Sequence, residues 1–293
     1  MRALLSVASR DGISAFTRGL QALDIEVYAT DGTRDHLAQD GIETRAVSEL
    51  TGSEAFLGGQ VKTFHPSIYA GILARRDKPE QMAELEAQGI ASIDLVAVNV
   101  KPFGAEVGKH AVAVDQAVEM IDVGGAALLS AAARNAAGVV VLSSPDHYPR
   151  VLAEIKERGL VSAELRAKLA AEAYATIAAY HAEIAAYLNQ LTSTMFPKRL
   201  AMVLEKVTDL RYGENPHQTA AFYRETTHRS GTLADATLIQ GGEPTFNNLL
   251  DLDAALNLVR EFRDPAVVVL KHNNPCGAGI GTSLAEAFQR AYA

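Results

Sequence analysis

Short, continuous apolar runs alternate with stretches of helical periodicity in the first half of the chain. Residues 3–7, 25–29, 93–98 and 139–142 form such runs, and residues 13–23 repeat their apolar positions every three or four residues. Uninterrupted apolar runs are typical of parallel strands that helices cover on both faces. The pattern therefore predicts an α/β fold with a parallel sheet that begins at the N-terminal strand.

A long amphipathic helix is predicted over residues 163–188, with Ser162 as its N-cap. A polar stretch with a proline follows at residues 191–198, so we place a domain boundary near residue 195 and expect domains over 1–195 and 196–293. In the second domain the pattern predicts strands at 201–207 and 266–270, a helix at 251–262 and another helix starting at Ser283. Because the final segment has no C-cap glycine, we expect the chain to end inside an element.

Composition and charge exclude several classes of protein. With 48% hydrophobic and 21% charged residues and a net charge of -8, the 293 residues are typical of a globular protein without general attraction to nucleic acid or anionic lipid. The lone cysteine, Cys276, cannot form an internal disulfide, which favours the cytoplasm. The first apolar run is too short for a signal peptide or a membrane span. We therefore expect no nucleic-acid or membrane partner, whereas a small anionic ligand stays open.

Four polar loops are the candidates for chemistry. They cover residues 10–12, 30–33, 60–63 and 122–125, and the first two directly follow predicted strands. Such loops gather at the carboxyl edge of an open α/β sheet, where helix N-termini bind anions, so a phosphate site is predicted. Each loop alone is more typical of an ordinary turn, and a lone lysine of a solvated surface group. His65 has no second ligand nearby, so we interpret it as a structural residue of its loop, with no metal site.

The order of several motifs resembles one enzyme family. VKTFHP (61–66), AGILARR (70–76), VNVKPF (98–103) and IDVGGAALLSAAARN (121–135) are similar to IMP cyclohydrolase. LRYGENPHQ (210–218), FNNLLDLDAAL (246–256) and LKHNNPCG (270–277) resemble the opening of the aminoimidazole carboxamide ribotide (AICAR) formyltransferase domain. The resemblance covers essentially the whole chain. It implies a bifunctional enzyme of purine biosynthesis.

The resemblance implies a fold and a reaction for each domain. The first would be methylglyoxal-synthase-like and the second the start of a cytidine-deaminase-like formyltransferase domain, in an intertwined homodimer that binds purine ribotide phosphates. In the cyclohydrolase, the carboxamide nitrogen of the formylated ribotide attacks the formyl carbon and water leaves, which needs no metal or organic cofactor. The site must assist loss of a proton and stabilise the oxyanion on the formyl oxygen.

Positions that match the cyclohydrolase motifs carry the implied roles. Lys62 would stabilise the oxyanion and Asp122 would orient the amide or accept its proton, although a plain helix N-cap is the alternative for Asp122. The other implied substrate-binding positions are Arg10, Thr30, Gly32, Thr33, Thr63, Asn99 and Gly124.

Several positions depart from the family pattern. Lys101 stands where the family has a tyrosine, Arg134 where it has a lysine and Ala127 where it has a threonine. In the phosphate loops, Arg10 replaces a lysine and Asp31 a glycine. Lys101 and Arg134 still offer hydrogen-bond donors, and we keep both as candidate catalytic residues.

In the second domain the resemblance implies that Lys271 and His272 serve formyl transfer from 10-formyltetrahydrofolate, the cosubstrate, to AICAR. His272 would take the proton of the attacking amine and Lys271 would lie near the formyl oxygen. Arg211, Tyr212 and Asn248 match substrate-binding positions, and Cys276 is interpreted as a packing residue.

Three classes of function stay open from the sequence. The chain is a cyclohydrolase with a vestigial second domain, a fragment of the bifunctional enzyme with no independent activity, or a non-catalytic phosphate-binding or dimerising module. Because the family's formyltransferase domain is several hundred residues long, we expect no formyl transfer from this chain alone. The missing half would belong to the same protein or to a separate chain.

Overall fold

The first half of the chain folds around a five-stranded parallel sheet with the order β3-β2-β1-β4-β5. Strands β1, β4 and β5 and most of β2 are buried, as continuous apolar runs predict, whereas the short edge strand β3 is partly exposed. The chain adds β2 and β3 on one side of β1 and then crosses to β4 on the other side. The carboxyl ends of β1 and β4 therefore flank the point where the strand order reverses, which is where open α/β sheets bind ligands. The strands are β1 Arg2–Val7, β2 Glu26–Ala29, β3 Arg45–Ala46, β4 Leu95–Asn99 and β5 Val140–Leu142.

This computed structural model describes residues 1–101, 103–109, 112–192, 195–226 and 231–293. They form two compact units, Met1–Ala201 and Met202–Ala293. The boundary between the units lies six residues after the one predicted from sequence. Two residues of the predicted linker, at positions 193 and 194, and Pro102 of the VNVKPF motif lie outside the described residues.

Ten helices among the described residues of the first unit accompany the sheet, several with recognisable start signals. The His65 ring accepts a hydrogen bond from the Ser67 N–H (3.2 Å) at the start of α4, as its structural interpretation predicts, and the Ser162 hydroxyl accepts one from the Leu165 N–H at the start of α10. The helices are α1 Ile13–Gln21, α2 Asp31–Gln39, α3 Ser48–Thr51, α4 Pro66–Leu73, α5 Pro79–Ala87, α6 Phe103–Lys109, α7 Val114–Glu119, α8 Val123–Arg134, α9 Tyr148–Arg158 and α10 Ala163–Leu191.

The main core of the first unit lies on both faces of the sheet. Leu4, Leu95 and Val96 are completely buried, and Phe16 stacks on Tyr148 with ring centroids 4.2 Å apart. Separate from this core is a small cluster of Phe103, Ala126, Tyr180 and Ile184, contributed by α6, α8 and α10.

The described part of the second unit contains two antiparallel strand pairs and two α-helices. Helix α12 lies so close to β9 that a Cβ on Gly277 would be 2.0 Å from the Ala291 carbonyl oxygen, so glycine is required there. The elements are β6 Leu204–Leu210, β7 Ala220–Glu225, α11 Phe246–Val259, β8 Ala266–Lys271, β9 Asn274–Ile280 and α12 Leu284–Tyr292.

The strands predicted in the first half and the long helix are confirmed to within two or three residues at each end. The second unit differs more. Helix α11 begins five residues earlier than predicted, because Thr245 and Asn248 form a capping box that the apolar pattern does not reveal. The strand predicted at 266–270 is confirmed as β8, and it pairs with β9, a strand that the sequence pattern did not predict. Among the described residues, no helix is long and apolar enough to span a bilayer.

Candidate functional site

The carboxyl ends of β1 and β2 carry a hydrogen-bonded cluster of Arg10, Thr30 and Thr33. The Thr33 hydroxyl accepts hydrogen bonds from the Val7 N–H and the Arg10 guanidinium, both at 3.1 Å, and Arg10 also donates to the Val7 carbonyl oxygen at 2.7 Å. Thr30 and Thr33 are buried, with 4% and 1% of their surface exposed. Burial lowers the pKa of the Arg10 guanidinium, which still stays protonated at neutral pH.

The start of α2 makes this cluster suitable for an anion. Thr30 is the N-cap residue of α2, and its side chain makes no capping hydrogen bond. The Thr33 N–H donates to the Thr30 carbonyl oxygen, so the N–H groups that an anion could use are those of Asp31 and Gly32. Gly32 lies beside the Arg10 cation, since a Cβ at that position would be in van der Waals contact with the guanidinium, at 3.4 Å. Asp31 is exposed in the same turn, so it brings a negative charge next to the predicted anion site.

Asn99, at the end of β4, joins this edge of the sheet to the loop after β1. Its side-chain oxygen accepts hydrogen bonds from the Ala8 N–H (2.5 Å) and the Ser9 N–H (2.8 Å). Its amide nitrogen is buried and has no hydrogen-bond partner in the part of the chain that the structure describes. A buried donor without a partner is unfavourable, so this nitrogen is available to a ligand oxygen. Lys101, two residues later, is exposed.

The lysine-threonine pair lies between two of the loops. Lys62 lines a shallow, solvent-open depression together with Thr30, Asp31 and Glu54. Thr63 is 2% exposed, and its hydroxyl oxygen lies 3.4 Å from the Cβ that Gly124 would carry. Lys62 therefore lies next to the loop of residues 30–33, which we call the phosphate-type loop, and Thr63 lies next to the loop that leads into α8.

Asp122 is the N-cap of α8. Its carboxylate accepts a hydrogen bond from the Gly125 N–H at 2.8 Å, and a Cβ on Gly125 would lie 2.5 Å from the other carboxylate oxygen. The backbone N–H of Asp122 donates to the Tyr180 hydroxyl at 2.6 Å. The capping alternative is therefore realised, and it fixes the carboxylate beside Gly124 and Thr63, where it can also orient a ligand amide.

Arg134 is not brought to this group of residues within the chain. It lies in the last turn of α8, exposed, whereas Asp122 precedes the first turn. Twelve residues at a helical rise of 1.5 Å separate the two by about 18 Å. Ala127, in contrast, is half-buried in the second turn from Asp122.

In the second unit, the candidate residues lie around the start of α11 and the tip of a hairpin. The Arg211 guanidinium lies 6.0 Å from the centroid of the Tyr212 ring, and the Tyr212 carbonyl oxygen accepts a hydrogen bond from the Phe246 N–H. The Asn248 side chain accepts hydrogen bonds from the Thr245 N–H and hydroxyl. This arrangement holds residues 211–212 beside the first turn of α11.

Lys271 and His272 lie where β8 turns into β9. Lys271 pairs with Asn274, so His272 and Asn273 form a two-residue turn, with φ of 53° and 63°. Both central residues in the left-handed region are the signature of a type I′ hairpin. The Asn273 N–H donates to the Asp251 carboxylate at 2.6 Å, which ties the exposed hairpin tip to α11 one turn after Asn248.

Sequence reasoning missed three residues of these sites and misjudged another. Asp251 stands within the FNNLLDLDAAL motif, and Tyr180 belongs to the apolar stripe of the long helix, so only the tertiary contacts reveal their roles. Glu183, on the same helix, binds the Gly104 N–H. The interpretation of Cys276 as a packing residue is wrong, because its thiol is exposed on β9 and donates to the Val269 carbonyl oxygen. The described residues contain no group of three potential metal ligands.

Two protein families match this chain. A family described as the AICARFT/IMPCHase bienzyme matches residues 132–293, and a family described as the MGS-like domain matches residues 12–127. The methylglyoxal-synthase-like prediction for the first unit is therefore confirmed, together with its parallel α/β sheet.

Individual relatives carry one name. The bifunctional purine biosynthesis protein PurH of Rhodopirellula baltica is 46% identical over 292 residues, and that of Bacillus subtilis is 43% identical over 291 residues. Both alignments cover 99% of this chain but only 56% and 57% of the relatives. A solved structure, the crystal structure of ForH, matches with a TM-score of 0.56 and 36% identity over 63% of this chain and 96% of that one. The chain thus spans little more than half the length of the curated relatives it matches.

Proposed function

The chain belongs to the AICARFT/IMPCHase bienzyme family, and from that membership we propose that its first unit catalyses the closure of 5-formamidoimidazole-4-carboxamide ribotide to IMP. In this reaction the carboxamide nitrogen forms a bond to the formyl carbon, and water leaves. The proposal depends on the site residues described above. It places the enzyme in the final steps of purine biosynthesis, with the cytoplasm as its compartment.

The observation that carries the proposal is the position of the lysine-threonine pair. Lys62 shares its depression with Thr30, at the phosphate-type loop, and Thr63 adjoins Gly124, beside Asp122. A ribotide needs one end of its site for a phosphate and another for the reacting carboxamide. Lys62 lies at the end suited to the phosphate, and its neighbour Thr63 lies at the end suited to the carboxamide.

Each end of the site offers groups of the required type. At the phosphate end, Arg10 supplies a cation, Thr30 and Thr33 supply hydroxyls, and the start of α2 supplies the N–H groups of Asp31 and Gly32. At the reacting end, Lys62 is suited to stabilise the developing oxyanion, and Asp122 is suited to orient the amide or accept its proton. The unpartnered Asn99 amide nitrogen would donate to the base or the ribose.

The test is the absorbance change on ring closure of the formylated ribotide, followed with the 293-residue chain. Removing one preorganised donor to an oxyanion typically costs about 10²- to 10³-fold in turnover, so Lys62→Ala should lower kcat by that order with a smaller change in KM. Lys156→Ala, at an exposed lysine of α9, is the matched control and should keep the wild-type rate. Equal rates for the two variants would contradict the role of Lys62.

A second function, a non-catalytic phosphate-binding or dimerising module, is favoured by one observation. Arg134, which occupies the family's lysine position, lies about 18 Å from Asp122 within the chain, and Lys101 and Ala127 also depart from the family pattern. Saturable ribotide binding by the wild-type chain without closure above the uncatalysed rate would establish the module and exclude the enzyme.

For the second unit we propose a part in formyl transfer from 10-formyltetrahydrofolate to AICAR. His272 would accept the proton of the attacking amine, Lys271 would stabilise the formyl oxygen, and Arg211, with its planar fork of donors, would bind phosphate beside Tyr212 and Asn248. Because the relatives are nearly twice as long, we expect no turnover of the folate with AICAR by these 293 residues alone. A homodimer, or a separate chain carrying the remaining half, is the proposed partner.

A further inference from the structure

The second half of α10 faces two of the loops of the proposed site. Tyr180, Glu183, Ile184 and Tyr187 are spaced at three, four and seven residues, which puts them on one face of the helix. This face contacts α6 and α8, the helices that follow the loops with Lys101 and Asp122. None of the four residues belongs to those loops.

The first contact fixes the backbone of Asp122. Tyr180 is 4% exposed, and its hydroxyl accepts the hydrogen bond from the Asp122 N–H across 58 residues of sequence. The Gly125 N–H holds the Asp122 carboxylate from the other side. Asp122 is thus fixed through its backbone by α10 and through its side chain by α8.

The second contact fixes the start of α6. The Glu183 carboxylate accepts a hydrogen bond from the Gly104 N–H at 3.2 Å, and a Cβ on Gly104 would lie 3.1 Å from the same oxygen. Phe103 is 1% exposed and meets the Tyr187 ring edge-on at 5.4 Å. The absence of a side chain at Gly104 therefore allows the carboxylate of α10 to reach the backbone just after Lys101.

We propose that Tyr180 and Glu183 are positioning residues of the cyclohydrolase site: from α10 they hold Asp122 and the segment that carries Lys101 in the geometry for ring closure. The inference rests on the proposed function. It adds that a helix outside the loops determines how well their reacting groups are aligned. Both contacts go to backbone N–H groups, so they set the position of the loops without touching the ribotide.

This arrangement predicts a separation between kcat and KM. Displacement of a reacting group by about 1 Å costs up to 10²-fold in rate, whereas at the phosphate end Arg10 and Thr33 are held by hydrogen bonds to Val7 and to each other. Tyr180→Phe should therefore lower kcat for ring closure about tenfold and leave KM within twofold. The matched control is Tyr174→Phe, on the same helix. The Tyr174 hydroxyl, which this change removes, donates to the Ser130 carbonyl oxygen in the middle of α8 at 3.5 Å. It should keep the wild-type kcat.

Glu183 allows a conservative rescue. Glu183→Ala removes the acceptor for the Gly104 N–H and should lower kcat as Tyr180→Phe does, whereas Glu183→Gln keeps an acceptor oxygen and should restore most of the rate. Amide hydrogen exchange at residues 122–125 supplies a second readout, and it should be faster in Tyr180→Phe than in Tyr174→Phe.

The outcomes separate this inference from the proposed function. An active wild type with unchanged kcat in Tyr180→Phe and Glu183→Ala would overturn the positioning role and leave the cyclohydrolase standing. A wild type without ring closure would overturn both. A fall in kcat with an equal rise in KM would also count against positioning, because it would indicate general loosening of the unit.

Discussion

Replacing Thr33 with valine tests the hydrogen-bonded cluster at the phosphate end of the site. The side chain is 1% exposed, and its hydroxyl is the acceptor for the Val7 N–H and for the Arg10 guanidinium. Valine has nearly the same shape, so the substitution removes the acceptor without opening a cavity. Arg10 keeps its bond to the Val7 carbonyl oxygen, whereas the buried Val7 N–H loses its side-chain partner.

The expected loss follows from that one donor. A buried donor without a partner costs about 1–3 kcal/mol of the free energy of unfolding. In a unit of 150–250 residues, each kcal/mol lowers Tm by about 2–4 °C, so the variant should melt about 2–12 °C below the wild type. Thr33→Ser keeps the hydroxyl and should recover most of the difference.

Thr17 supplies the matched control for this measurement. It is also fully buried, but its hydroxyl donates to the Ile13 carbonyl oxygen within α1, so Thr17→Val removes a donor and creates no unpaired N–H. Since the chain has no tryptophan, circular dichroism is the suitable probe for thermal and urea unfolding. Equal losses in Thr33→Val and Thr17→Val would refute the reasoning from the unpaired Val7 N–H.

Three further predictions concern the rest of the chain. If Lys101 acts as a donor in place of the family's tyrosine, Lys101→Ala should slow ring closure and Lys101→Tyr should be tolerated; closure assays with both variants decide this. Limited trypsin digestion should cut first at Lys198 or Arg199, which are both exposed, and release a stable first unit, whereas resistance throughout residues 191–200 would show the domain boundary to be misplaced. Finally, the hydrogen bond from the Ser162 N–H lowers the pKa of the Glu154 carboxyl below its ordinary 4.5. The ionised Glu154 carboxylate therefore stabilises the fold above pH 4.5, and this stabilisation is lost as the pH falls through the lowered pKa. Glutamine does not titrate, so the free energy of unfolding in urea should fall less below pH 4.5 for Glu154→Gln than for the wild type.

The apolar pattern alone determined most of the first unit. A strand buried on both faces must be apolar throughout, and a helix packed on one side must repeat its apolar positions every three or four residues, so both can be read without tertiary information. The sequence also predicted that the polar loops lie together at the carboxyl edge of the sheet, because the loops that follow parallel strands all lie on the same side. In the second unit the predictions were weaker, since the start of α11 depends on the capping box of Thr245 and Asn248 rather than on hydrophobicity.

Only the tertiary structure decided which of the candidate residues meet. Arg134 and Asp122 belong to one motif, yet a helix of twelve residues puts them at its opposite ends, because the helical rise accumulates along the axis. Conversely, Tyr180 is 58 residues from Asp122 and bonds to its backbone. Its place in an apolar stripe predicts burial but gives no partner for the hydroxyl, since hydrogen bonds between distant segments depend on how whole elements pack. That packing is a property of the assembled fold, and no local pattern contains it.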